Sequence, residues 1–80
     1  MIRFTTHALA MLVERNLDVN WILRTLERPQ ADEADPLRPE RRRAFAPVPE
    51  RDGRVLRVVY EPDGDDSVVI TAFLDRRRAR

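Results

Sequence analysis

The spacing of apolar residues changes character twice along this chain. Ile2 to Thr5 alternates and reads as a short strand. From His7 onward the apolar positions recur at threes and fours: Leu9, Leu12 and Val13, with Ala8 and Met11 widening the stripe. That is the spacing of one helix face. Thr5 or Thr6 supplies a hydroxyl for the free amides at its start. Asn16 and Leu17 interrupt the pattern, and Asp18 caps a second helix whose stripe is Val19, Ile22, Leu23 and Leu26. Pro29 ends it, because the residue before a proline is pushed out of the helical region. Two helices joined this tightly form an αα-hairpin.

Residues 29–39, PQADEADPLRP, are acidic and carry prolines, so an exposed connection is expected. RRRAFAPVP follows as a weak strand. Pro47 and Pro49 cannot donate to a ladder, which places it at a sheet edge or at a bend. Asp52-Gly53 is a two-residue hairpin signal. It leads into the clearest strand of the chain, Val55 to Glu61, and the turn Glu61-Pro62-Asp63-Gly64 connects this to a last strand, Ser67 to Leu74. The order strand, helix, helix, three strands predicts one α+β domain over residues 1–75, an antiparallel sheet with both helices on one face. Residues 76–80 read as a solvated basic tail.

Alternation puts Leu56, Val58 and Tyr60 on one side of the clearest strand and Val55, Arg57 and Val59 on the other. Pairing symmetrically about the turn sets Arg57 opposite Thr71 and adds Val69, Thr71 and Phe73 to the second side. Both sides are then largely apolar, yet two helices cover only one. The other side must meet a partner, the tail or a ligand.

Composition narrows the class. Eighty residues with 42% apolar content suffice for one modest core. The absence of cysteine excludes disulfides and thiolate metal sites. No apolar run approaches the roughly 20 residues that span a bilayer, and the start lacks a signal-peptide core, so a cytoplasmic protein is the default. The formal charge is only +1, but all 15 basic residues are arginine. They cluster at Arg41, Arg42 and Arg43 and again at Arg76, Arg77, Arg78 and Arg80, so a nearly neutral chain can still carry a basic face. One histidine among scattered carboxylates has no metal-ligand spacing, and no cofactor motif appears.

Three residues invite chemistry. His7, the only imidazole, stands where the helix dipole disfavours an imidazolium, which suits a proton acceptor; the alternative is a capping or packing role. Arg57, in the middle of an apolar face, fits either an ion pair with Glu14 or Glu61 or a contact to an anion, for which its planar fork is suited. Trp21 falls opposite the second helix's stripe, either packed beneath the acidic connection or exposed as an anchor for a partner.

The pattern His7-Ala8, then Glu14-Arg15-Asn16-Leu17, then Leu26-Glu27-Arg28-Pro29, with the later LRVVYEPDGDDSVVITAF, resembles a bacterial family known as domain of unknown function 4258. The resemblance spans Ile2 to Leu74, and Asn16 stands where that family commonly has glycine. The family is similar in layout to RelE- and BrnT-type toxins of toxin–antitoxin pairs, small metal-independent ribonucleases acting on mRNA. The resemblance implies His7 as base or acid, Arg57 as phosphate clamp, and Arg15 as a second clamp or a hairpin-locking salt bridge. Thr71, Arg42 and Arg43 would touch substrate. Its implied partners are RNA and an antitoxin protein. The competing expectation is a non-catalytic interaction module, a homodimer built through the open sheet face.

Overall fold

The computed structural model describes residues 1–78; Ala79 and Arg80, the end of the expected basic tail, lie outside the described residues. The elements are β1 (Ile2–Phe4), α1 (Thr6–Glu14), α2 (Val19–Glu27), β2 (Ala31–Ala34), β3 (Arg42–Val48), a 3-10 turn (Pro49–Arg51), β4 (Arg54–Asp63) and β5 (Asp66–Leu74). The five strands form one sheet in the order β1-β5-β4-β3-β2. Both helices sit on one face, where Ala8, Leu17 and Ile22 pack with Val48, Leu56, Val58, Val69 and Ala72.

The α+β class and the helix order match the sequence expectation, but the sheet is mixed. β1 runs parallel to β5, pairing Ile2–Phe4 with Ser67–Val69, while the other pairs are antiparallel. The chain leaves β1 through two helices rather than through a hairpin, so nothing obliges it to return antiparallel.

Residues 31–34 are a strand, not part of an exposed connection. Their acids find cations on the next strand: Arg42 Nε donates to Asp32 Oδ1 at 2.9 Å and Arg43 Nη2 to Glu33 Oε1 at 2.8 Å. The Tyr60 hydroxyl also donates to Asp32, at 2.6 Å. Charge complementarity thus replaces apolar alternation at this edge. β2 is the edge and β3 lies inside it. Pro47 is tolerated because the β2–β3 ladder stops at Phe45, so its missing N–H faces no strand.

The two hairpins exchange the characters expected of them. β3 and β4 are joined through residues 49–53, with the 3-10 turn followed by Asp52 at φ 58° and Gly53 at φ 75°. β4 continues to Asp63, and the tight two-residue turn is Gly64-Asp65, with Gly64 at φ 60°. Below it, the register slips by one residue between Val59 and Tyr60. The extra residue, Ile70, moves Val69 to the helix side. Together with the turn at Gly64-Asp65, it sets Arg57 opposite Phe73, not Thr71.

Both helices are rotated from their expected stripes. α1 buries Ala8 and packs the half-buried Leu12 against the core, leaving Leu9 about half exposed and Val13 83% exposed. α2 buries Ile22 and Thr25 and packs Trp21 against the core, while Val19 stays exposed. Thr25 can be buried because its hydroxyl donates to the Trp21 carbonyl one turn back, at 2.7 Å. Asn16 adopts φ 54°, ending α1 in the left-handed conformation that asparagine tolerates.

The second sheet face is not open. Asp75 is buried, and its N–H donates to the Val55 carbonyl at 2.8 Å, carrying the chain past β5. The Arg77 N–H then donates to Asp75 Oδ1 at 2.9 Å, turning the segment back across the sheet. Residues 75–78 are a strap rather than a solvated tail. Phe45 is fully buried beneath it, and Val55 and Val59 on the same face are buried as well.

Candidate anion-binding site

Strand register builds a row across the second face. Phe45 on β3 is opposite Arg57 on β4, and Arg57 is opposite Phe73 on β5. The Arg57 guanidinium carbon lies 5.3 Å from the Phe45 ring centre and 5.0 Å from that of Phe73, so its plane sits between two aromatic surfaces. Its Nε and Nη2 both donate to Asp75 Oδ2, at 3.1 and 2.6 Å. Burial alone would raise the Asp75 carboxyl; the Arg77 amide and the Arg57 guanidinium outweigh it and hold the group below its ordinary value. The partner of Arg57 is therefore Asp75, not Glu14 or Glu61.

Other arginines frame this row. β1 pairs with β5 only as far as Val69, leaving the later carbonyls of β5 open at the edge. Arg15, at the end of α1, donates from Nη1 to the Ala72 carbonyl at 2.8 Å and lies 5.7 Å from the Phe73 ring centre. At the other end Arg78 stacks 3.5 Å over Phe45 and pairs with Glu33 at 3.3 Å. That hydrogen bond, aided by Arg43, holds the Glu33 carboxyl below its usual range.

Two cavities open where β4 begins and β5 ends. One, of about 310 Å³, is lined by Arg54, Val55, Asp75, Arg76 and Arg78. The other, of about 300 Å³, is lined by Arg15, Arg51, Arg54 and Arg76 around Phe73, with Leu17 and Leu74. Arg54 and Arg76 line both. Five guanidiniums thus meet one carboxylate, and that carboxylate is already held by Arg57. The guanidiniums of Arg54 and Arg76 make no hydrogen bond or ion pair with any described residue. Arg51 is partly engaged, 3.5 Å from the Asn16 carbonyl and 5.9 Å from the Trp21 ring centre.

Of the residues singled out in the sequence, Arg15 and Arg57 are brought together on the Phe73 ring. His7 is exposed in the first turn of α1, and its imidazole makes no hydrogen bond with a described residue. The cap is Thr5, whose side-chain oxygen accepts from the Ala8 amide at 3.0 Å while its hydroxyl donates to the Ile70 carbonyl at 3.3 Å. His7 lies on the same helix row as Met11 and Arg15, but eight residues separate it from Arg15, about 12 Å of helix rise. Thr71 is opposite Val59 and so diagonal to Arg57. Arg42 and Arg43 are neighbours in sequence, so they point to opposite faces of the sheet, and each holds its own β2 acid.

Sequence reasoning noticed the Arg76–Arg78 cluster but not Arg51 or Arg54 beside it. Only the strap's turn and the five-residue β3–β4 connection bring them together. Among the described residues, no group of three or more His, Asp or Glu side chains is placed to hold a metal ion. No helix is long and apolar enough to cross a membrane.

The family model described as Domain of unknown function (DUF4258) matches residues 4–74. No curated protein and no solved structure matches the chain.

Proposed function

Starting from the fact that the chain belongs to the DUF4258 family, we propose that it binds single-stranded RNA by its phosphates, in the arginine cleft at the open end of β4 and β5. The observation that carries this reading is the charge imbalance of that cleft: Arg15, Arg51, Arg54, Arg76 and Arg78 against Asp75 alone. Guanidiniums bind phosphate oxygens bidentately, and those of Arg54 and Arg76, which no described residue holds, are ready to do so. The Phe73 ring on the cleft floor offers a surface on which a base can stack, the usual complement to a cationic groove in single-strand binding. Arg57 serves this site as a positioning residue that fixes Phe73 and the strap.

The finer reading follows the likeness to RelE- and BrnT-type toxins: metal-independent cleavage of mRNA, restrained by an antitoxin protein. In that chemistry the 2′-oxygen attacks the neighbouring phosphorus, the 5′-oxygen leaves, and a 2′,3′-cyclic phosphate remains. His7 would take the 2′-hydroxyl proton, and arginines would hold the crowded phosphate. What supports this assignment is that the imidazole is exposed, free to meet a strand that runs on from the cleft.

Fluorescence anisotropy with a labelled single-stranded RNA tests the binding. Three phosphate contacts give a log–log salt slope of about −2. Arg54→Ala and Arg76→Ala should each weaken binding, and the double variant more so. Affinity indifferent to salt and to both substitutions would remove the reading. Cleavage is tested separately: His7→Ala should abolish strand scission while leaving RNA affinity intact.

A further inference from the structure

The two cavities share a wall, and their charges differ. Arg54 and Arg76 line both, so any anion in one cavity lies beside guanidiniums that also serve the other. The cavity against Phe73 adds Arg15 and Arg51 and has no carboxylate among its lining residues, a balance of four positive charges. The strap cavity adds Arg78, already paired with Glu33, and Asp75, already held by Arg57, so Arg54 and Arg76 are its two uncompensated charges. Adjoining pockets of unequal positive charge fit adjoining anions of unequal negative charge.

We infer that the cleft recognises the phosphorylated end of a nucleic-acid strand. The terminal phosphomonoester occupies the four-arginine cavity, and the following phosphodiester occupies the strap cavity. A monoester carries close to two negative charges at neutral pH, with a second ionisation near pH 6, whereas a diester carries one. The apolar lining supports the same order. Phe73, Leu17 and Leu74 border the four-arginine cavity and can receive the terminal base, which has only one stacking neighbour in the strand. A cavity of about 300 Å³ is at the small end of ligand sites, sized for one phosphate and part of a nucleoside. This inference rests on the reading of the cleft as a phosphate site and adds which phosphate it prefers. The charge argument is the same for a 5′- and a 3′-terminal phosphate.

The experiment compares one short single-stranded RNA in three forms, with a 5′-phosphate, with a 3′-phosphate and with hydroxyls at both ends, titrated into the intact protein. One phosphorylated form should bind about tenfold or more tighter than the hydroxyl form, the increment of an added charge-assisted arginine–phosphate contact. Which form it is identifies the end. That preference should shrink between pH 7 and pH 5, as the monoester gains its second proton. Arg51→Gln should weaken the preferred phosphorylated form several-fold more than the hydroxyl-ended form, shrinking the preference. Arg78→Gln should weaken all three forms alike. If Arg51→Gln does not fold, as judged by circular dichroism, the comparison of the three RNAs on the unaltered protein still decides. Equal affinity for all three, with a normal salt slope, overturns the end preference and leaves the phosphate site standing. Failure of every RNA to bind in a salt-dependent way overturns the phosphate site itself.

Discussion

Replacing Asp75 by alanine should unfasten the strap, and the structure sets the scale. The Asp75 side chain is only 4% exposed and that of Arg57 20%. Three donors converge on the carboxylate: two from Arg57 and the Arg77 amide. Removing one partner of a fully buried ion pair costs roughly 3–5 kcal/mol, because the other charge is left uncompensated. Arg57 keeps a fifth of its side chain in water and gains from two flanking rings, which lowers the cost to about 2–4 kcal/mol. In a domain of this size that is a fall in Tm of roughly 10–25 °C. Urea unfolding followed by circular dichroism and by Trp21 fluorescence measures it. The double variant Arg57→Met/Asp75→Leu removes both charges and should be more stable than either single variant, with a coupling of at least about 1 kcal/mol. A loss within about 0.5 kcal/mol for Asp75→Ala, or strict additivity in the double variant, would show that this pair does not hold the strap.

Acid should act on the same contact. The folded Asp75 carboxyl lies below its ordinary value, so its contribution is complete above the ordinary carboxylate range and is lost as pH falls through the depressed value; loss of protection at the Arg77 amide on acidification reads it. Glu50, held at about 2 by the paired hydrogen bonds from Arg24 and by a backbone amide, should titrate far below 4.5 by NMR, and a value near 4.5 would mean that pair is not formed in solution. Thr5→Ala should cost about 1 kcal/mol through loss of the α1 cap, with Thr5→Ser recovering most of it in the same urea assay. Gly64→Ala should cost roughly 1–2 kcal/mol from backbone strain alone, since a Cβ there meets nothing within 4 Å.

The helices, their caps and the β4–β5 hairpin were legible because local chemistry dictates them: threonine and aspartate at helix starts, alternating apolar residues in strands, glycine at a positive φ. β2 was not. Its four residues, ADEA, have no strand signature of their own, and what pairs them is Arg42, Arg43 and Tyr60, many positions away. The register of β5 escaped for a related reason: one bulged residue moves Val69 across the sheet and, with the turn at Gly64-Asp65, puts Phe73, not Thr71, beside Arg57. The helix stripes were off by a fraction of a turn because Ala8 and Thr25 can be buried as well as larger apolar residues. For the site, Arg15 and Arg57 were named from the sequence, and they do meet. The cleft itself was hidden, because it is assembled by the Asp75 turn and by the connection that carries Arg51 and leads into Arg54.

The central place of β5 has a consequence for synthesis. β5 is the last strand of the sheet to be made, yet it lies between β1 and β4. Until Ser67 to Val69 leave the ribosome, β1 has no strand to pair with, and α1 has only part of the surface it covers. Contacts that join residue 2 to residue 67 raise the contact order and slow closure. A nascent chain halted before β5 should therefore remain protease-sensitive along its whole length, and protection should arrive in one step once β5 is free.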